Sequence, residues 1–138
     1  MDNNEPIYLD DPDLLAAVVD RTLPVSDRTA GSLLLLLCDQ DCRLLLPMLV
    51  DDVPLGCGRQ EQEGTADRLA WITAQSVPGG AVALAVGRPG QPVPTLWERD
   101  WRRALALATR RHGLRDLGCL LATEQGVRRL DDDEAAAA

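Results

Sequence analysis

The sequence predicts a single α/β domain, a three-layer-like sandwich with a mixed sheet and the element order α-β-β-α-β-α-β-β. Three observations carry that expectation. Ser32–Cys38 and Ala81–Val86 are short and almost wholly apolar, as in strands covered on both faces. Thr65–Ser76 and Thr95–His112 instead place their apolar residues at helical spacing. Between Cys38 and Arg43 there is room only for a turn, so two strands form a hairpin while later strands are separated by helices.

A chain of 138 residues is one domain by size and long enough to bury a core. Residues 1–9 read as a flexible arm, 10–130 as the domain, and 131–138 as a disordered tail of acidic residues and alanine. With no Phe and one Tyr, the core is expected to be aliphatic, with Trp71, Trp97 and Trp101 as its large fillers.

The elements follow in order. Asp10 or Asp11 caps a helix with Pro12 in its first turn, Leu14, Leu15, Val18 and Val19 as its stripe, and Pro24 as its end. Leu23–Gly31 reads as a polar connection leading to the strand Ser32–Cys38. After the turn Asp39–Asp41, Arg43–Val50 returns as a strand. Its Pro47 cannot donate a ladder bond and places it at an edge or a bulge. Asp51–Gly64 reads as a mobile loop, and Thr65–Ser76 as a helix with Leu69, Ile72 and Trp71 inward. Pro78-Gly79-Gly80 breaks the chain before the central strand Ala81–Val86.

Thr95-Leu-Trp-Glu98 has the form of a capping box and opens a helix that Gly113 ends. Leu117–Thr123, a turn at Glu124–Gly126 and Val127–Leu130 close the chain.

Composition excludes several function classes. The net charge is −8 and every basic residue is Arg, a balance that argues against nucleic acid as the main partner. Arg102, Arg103, Arg110, Arg111 and Arg115 read as a solvated helix end, where cations suit the dipole. The apolar runs fall short of the roughly 20 residues of a membrane span, and the acidic start is unlike a secretory signal. A cytoplasmic protein without a membrane partner is the expectation.

Cys38-x3-Cys42, with Cys57, Cys119 or His112, could supply four soft zinc ligands, but one short spacing is less than structural zinc sites use. Cys38 and Cys119 sit inside apolar strands as small hydrophobes. No metal or cofactor is therefore expected. Cys57, between Gly56 and Gly58, is the most exposed thiol by context.

The most informative stretch is Gly79–Asp100: a buried strand, a Pro/Gly loop and a helix start. The loop holds no His, Cys or Ser. His112 is the sole histidine, and the paired carboxylates Asp39/Asp41 and Asp51/Asp52 fall in turns, where Asp serves the backbone. No catalytic group is assigned.

On Val86-Gly-Arg88-Pro89-Gly90, Pro94-Thr95-x-x-Glu98 and the helix-then-strand that follows, the chain resembles the JAB/MPN domain in its bacterial RadC-like form, from about Ser32 to Leu130. In that family a strand ends in His-x-His-Pro, and Pro-Ser-x-x-Asp opens a long helix. The resemblance implies zinc held by the two His and the Asp, with an earlier Glu working on zinc-bound water. Here Val86 and Arg88 stand at the His positions and Thr95 at the Ser. The Asp position falls on Glu98, or on Asp100 if the loop is shifted, and the earlier Glu on Glu61 or Glu63.

The resemblance thus implies a JAB-like module without its zinc: a pseudoenzyme-like, regulatory or scaffolding protein in a bacterial assembly, binding a protein partner or itself. Trp97 and Trp101, four apart on one helix, are candidate partner anchors, and Arg88 a candidate contact for a partner or a small anion. The alternative is a hydrolase, either a metal-dependent peptidase or isopeptidase with altered ligands or a thiol enzyme using Cys57 or Cys42.

Overall fold

The computed structural model describes residues 5–130. It is a mixed α/β fold in which helices cover both faces of a five-stranded sheet. The elements are α1 (Pro12–Thr22), α2 (Val25–Ala30), β1 (Ser32–Cys38), β2 (Leu44–Asp51), α3 (Arg59–Ser76), β3 (Ala81–Gly87), α4 (Leu96–Arg111), β4 (Arg115–Thr123) and β5 (Gly126–Arg129). The sheet order is β2-β1-β3-β4-β5. Only β3 and β4 run parallel, joined through α4; the other neighbouring pairs are antiparallel.

Alternation along the buried strands assigns the two cores. Ala81, Ala83 and Ala85 of β3 join Leu34, Leu36, Leu120 and Ala122 beneath α1, which contributes Leu15, Val18 and Val19. Val82, Leu84 and Val86 face the other way, with Leu33, Leu35 and Leu121, beneath Trp101 and Leu105 of α4. Every residue of β1 and β3 is buried, as their unbroken apolar runs require. β2 lies at the edge with its Pro47, as the proline demands. Among the described residues no helix is long and apolar enough to cross a membrane.

Four expectations need correction. The arm does not run loose through residue 9: Leu9 is buried, its N–H donates to the Cys42 carbonyl, and Tyr8 bridges Arg43. Tail residues 131–138 lie outside the described residues, as do residues 1–4. The polar connection after α1 holds the short helix α2, whose turn Thr29 closes by donating back to the Val25 and Ser26 carbonyls.

Helix α3 begins six residues earlier than expected, since Gln60–Glu63 are competent helix formers and the break is at Gly58. Trp71 and Ile72 of that helix point to solvent, 53% and 38% exposed. The reason is that α3 packs through small residues: Ala66 and Ala70, with Ala74 beside them, lie on Ala104 and Ala108 of α4. Spacings of four put these alanines on one ridge, and the bulky residues fall outside it.

Candidate functional site at the end of β3

Strand β3 ends at Gly87, and the chain then loops through residues 88–95 into α4. Gly87 has no room for a side chain. A Cβ there would lie 2.6 Å from Ser32 Oγ and 3.0 Å from Arg28 Cα. Arg88 leaves the sheet with its N–H donating to the Ala122 carbonyl of β4, and its side chain turns back into the loop. At the helix end, Thr95 is the N-cap, and its N–H donates to Glu98 Oε1 at 2.6 Å. The Thr95 hydroxyl lies 3.0 Å from both oxygens of the same carboxylate.

Arg88 and Glu98 meet in a bidentate pair. Nε donates to Oε2 at 2.8 Å and Nη2 to Oε1 at 3.1 Å. Nη2 also reaches the Val93 carbonyl at 2.8 Å, while Nη1 donates to the carbonyls of Pro89 at 2.9 Å and Gln91 at 3.3 Å. A guanidinium has five N–H donors, and all five are used, two on Glu98 in the first turn of α4 and three on loop carbonyls. Glu98 is fully buried and the Arg88 side chain is 15% exposed. The loop is further pinned by the Gly90 N–H, which donates to the Glu124 carboxylate in the β4–β5 turn.

Arg88 is therefore the organising cation of its own loop rather than a free anion contact. Trp101, expected as a partner anchor, is also a correction: it is 1% exposed and fills the core under α4. In a core without Phe it is the one indole fully inside. Trp97 is half-buried, packed edge-on against Trp101 with ring centroids 6.4 Å apart. Its Nε1 donates to the Cys57 carbonyl at 3.0 Å, tying the loop after β2 onto the start of α4. Leu55, Gly56, Pro89, Thr95 and Trp97 border a cavity of about 360 Å3 over the Arg88–Glu98 pair.

The donor set does not fit the zinc that a JAB/MPN resemblance implies. Val86 points into the apolar core, Arg88 is a cation, and both Glu98 oxygens are already shared between Arg88 and Thr95. Glu61 and Glu63 are exposed on α3. Among the described residues, no group of three or more His, Cys, Asp or Glu is gathered to hold a metal ion.

The thiols fare no better as nucleophiles. Cys38, Cys42 and Cys119 are buried, and burial pushes the Cys38 thiol up to about 12 and raises that of Cys119 as well. Cys57 is half-buried, and desolvation raises it too, the opposite of what a thiolate nucleophile needs. No imidazole lies near it. His112 caps the far end of α4, roughly 22 Å from Trp97 at 1.5 Å per residue. It meets Asp67 of α3 there at 2.9 Å.

Two buried polar side chains escaped sequence reasoning. Arg28 is 3% exposed and donates to the carbonyls of Asp20, Leu23 and Thr123, joining α1 to the end of β4. Gln62 is fully buried and donates to the Trp97 carbonyl. Both sit in polar stretches with no spacing to set them apart. Comparison with family models, curated proteins and solved structures gave no match for this chain.

Proposed function

We propose that this chain is a non-catalytic, JAB-like binding module that serves a cytoplasmic bacterial assembly as a scaffold or regulator, through a protein partner or through itself. One observation carries the reading: the frame of a reaction centre is filled from within by Arg88 and Glu98. Where the resemblance implies a metal ion, a guanidinium supplies the positive charge and takes up the loop carbonyls as well as the helix-capping carboxylate. With its guanidinium donors so engaged, Arg88 has none to spare for substrate, and Glu98, paired with Arg88 and Thr95, is not a free base to activate water.

The remaining support is chemical. The thiols are buried or raised, the sole histidine lies at the opposite helix end, and an acidic, lysine-free composition does not suit a nucleic-acid backbone. The test is metal content after purification without chelator, followed by zinc titration and assay on peptide and isopeptide substrates. The expected result is neither bound zinc nor hydrolysis. Stoichiometric zinc, or turnover abolished by Glu98→Gln, overturns the reading.

A further inference from the structure

Strand β2 is an edge strand with the composition of an interior one. Leu44–Val50 contains no polar side chain, yet Leu45, Leu46 and Leu49 are 45%, 50% and 43% exposed. Both faces are apolar. Leu46, Met48 and Val50 stand beside Leu37, Leu35 and Leu33 on the α4 face, while Pro47 and Leu49 stand beside Leu36 and Leu34 on the α1 face. Edge strands are ordinarily kept apart by charge, shortness or cover. The opposite edge follows that rule: β5 is four residues long and carries Arg128 and Arg129. β2 has Pro47, a break in register at Leu45 and the cover of residues 7–9 at its first residues, which leave the rest of the strand open.

We propose that β2 pairs with β2 of a second copy of this chain, antiparallel about a two-fold axis at Met48, so that one sheet runs through both protomers. This rests on reading the chain as a binding module and names its partner. The register follows from what already covers the edge. The Leu44 N–H donates to the Ile7 carbonyl and Leu9 to Cys42, so residues 7–9 occupy the outer side only around Arg43. That leaves Leu45–Asp51 open, seven residues with Met48 at the centre.

Charge selects a second copy and its direction. Exposed Arg43 precedes the strand, and Asp51 and Asp52 end it. Antiparallel pairing carries Asp51 and Asp52 of each copy toward Arg43 of the other, whereas parallel pairing would set Asp51 and Asp52 against their own counterparts. Centred on Met48, Leu46 faces Val50 of the second copy and Pro47 faces its Leu49, so the apolar faces continue across the axis.

A stable interface buries about 800 Å2 per partner, more than a seven-residue strand supplies. Ile7 and Tyr8, both exposed beside the start of the strand, widen the band. Pro47 withholds one ladder donor and keeps the pairing reversible. The two-fold consumes both open edges, so the assembly closes as a dimer.

Sedimentation velocity of the full chain in reductant, from low micromolar to near-millimolar concentration, tests the proposal. The expected result is a dimer at high concentration that dissociates on dilution. Leu46→Arg and Leu49→Arg each shift the midpoint at least tenfold toward monomer, with the thermal midpoint held. Met48→Cys, oxidised, gives a crosslinked dimer absent from the wild type, since facing residues at the axis lie within disulfide reach. This variant serves even where the arginine substitutions unfold the chain. A wild type monomeric at every concentration overturns the pairing, as does a dimer that neither arginine weakens and Met48→Cys does not trap. The two readings fail separately: a zinc-free, inactive monomer leaves the binding module standing and removes its self-pairing, whereas zinc-dependent turnover removes the module itself.

Discussion

The loop after β3 and the strand β2 present opposite accounts of themselves. The loop has the outline of an active site, yet every guanidinium donor of Arg88 and both Glu98 oxygens are spent on their own surroundings. β2 carries no chemistry at all, yet it leaves leucines on both faces and a backbone edge in water. Capacity to bind depends on what a region leaves unsatisfied rather than on how closely it resembles a site. On that measure the inert strand is the open surface, while the charged groups beneath the cavity at the loop are already committed to each other.

The largest effect that separates the two regions is expected at Glu98. Glu98→Ala strips a buried Arg88 of its partner and removes the acceptor for the Thr95 N–H, which costs about 3–5 kcal/mol of stability. Chemical denaturation reads this as a fall in midpoint. The double variant Arg88→Met/Glu98→Leu recovers most of the loss, because two apolar groups leave no charge unpaired. If Glu98→Ala is as stable as wild type, the loop is not held from within and the contrast collapses.

A smaller effect is expected where the loop after β2 is tied to α4. Trp97→Phe keeps the packing on Trp101 but removes the Nε1 donor to the Cys57 carbonyl, a loss of about 1 kcal/mol. Loosening that tie exposes Cys57, so its alkylation by iodoacetamide, followed by mass spectrometry, runs faster than in the wild type. Cys38, Cys42 and Cys119 stay unmodified in both until the chain unfolds, being at most 1% exposed. On β2 the prediction is a small effect in the monomer: Leu49→Lys changes stability by no more than about 1 kcal/mol, since the side chain is already 43% exposed. A loss of several kcal/mol would mean that β2 belongs to the core of the single chain.

The sequence made most of this architecture legible, and the reason lies in particular residues. β1 and β3 were plain because an apolar run of seven has one common explanation when turn formers bound it. Pro47 placed β2 at the edge, and Thr95 with Glu98 placed the start of α4. What stayed hidden was partnership. Nothing local says that the Arg88 fork closes on Glu98 ten residues on, that Arg28 reaches the end of β4, or that α3 turns its alanines inward and Trp71 outward. A helix that packs on another helix by small residues inverts the usual rule that the larger apolar groups mark the buried face. For the same reason Trp101 and Trp97, alike in sequence, were separated only by the fold.

The smallest effect tests the far end of the α3–α4 pair, where a second ionic contact stands against the Arg88–Glu98 pair. Asp67 accepts from His112 at 2.9 Å and from Arg111 at 3.0 Å, with its own side chain 36% exposed. The hydrogen bond with His112 holds the Asp67 carboxyl below its ordinary value; desolvation opposes this, and the charge of Arg111 adds to it. A carboxyl lowered by folding stabilises the folded chain only while it is ionised. That contribution is fully present above the ordinary value of 3.8 and is lost as the pH falls through the folded value below it. Asp67→Asn should therefore sit slightly below wild type near neutrality and converge on it in acid, read as thermal midpoints from pH 6 down to about pH 2.5. Solvent screening keeps the gap small. Curves that stay parallel through the acid range would show that Asp67 gains nothing from its partners, leaving the alanine ridge as the sole tie between α3 and α4 at that end.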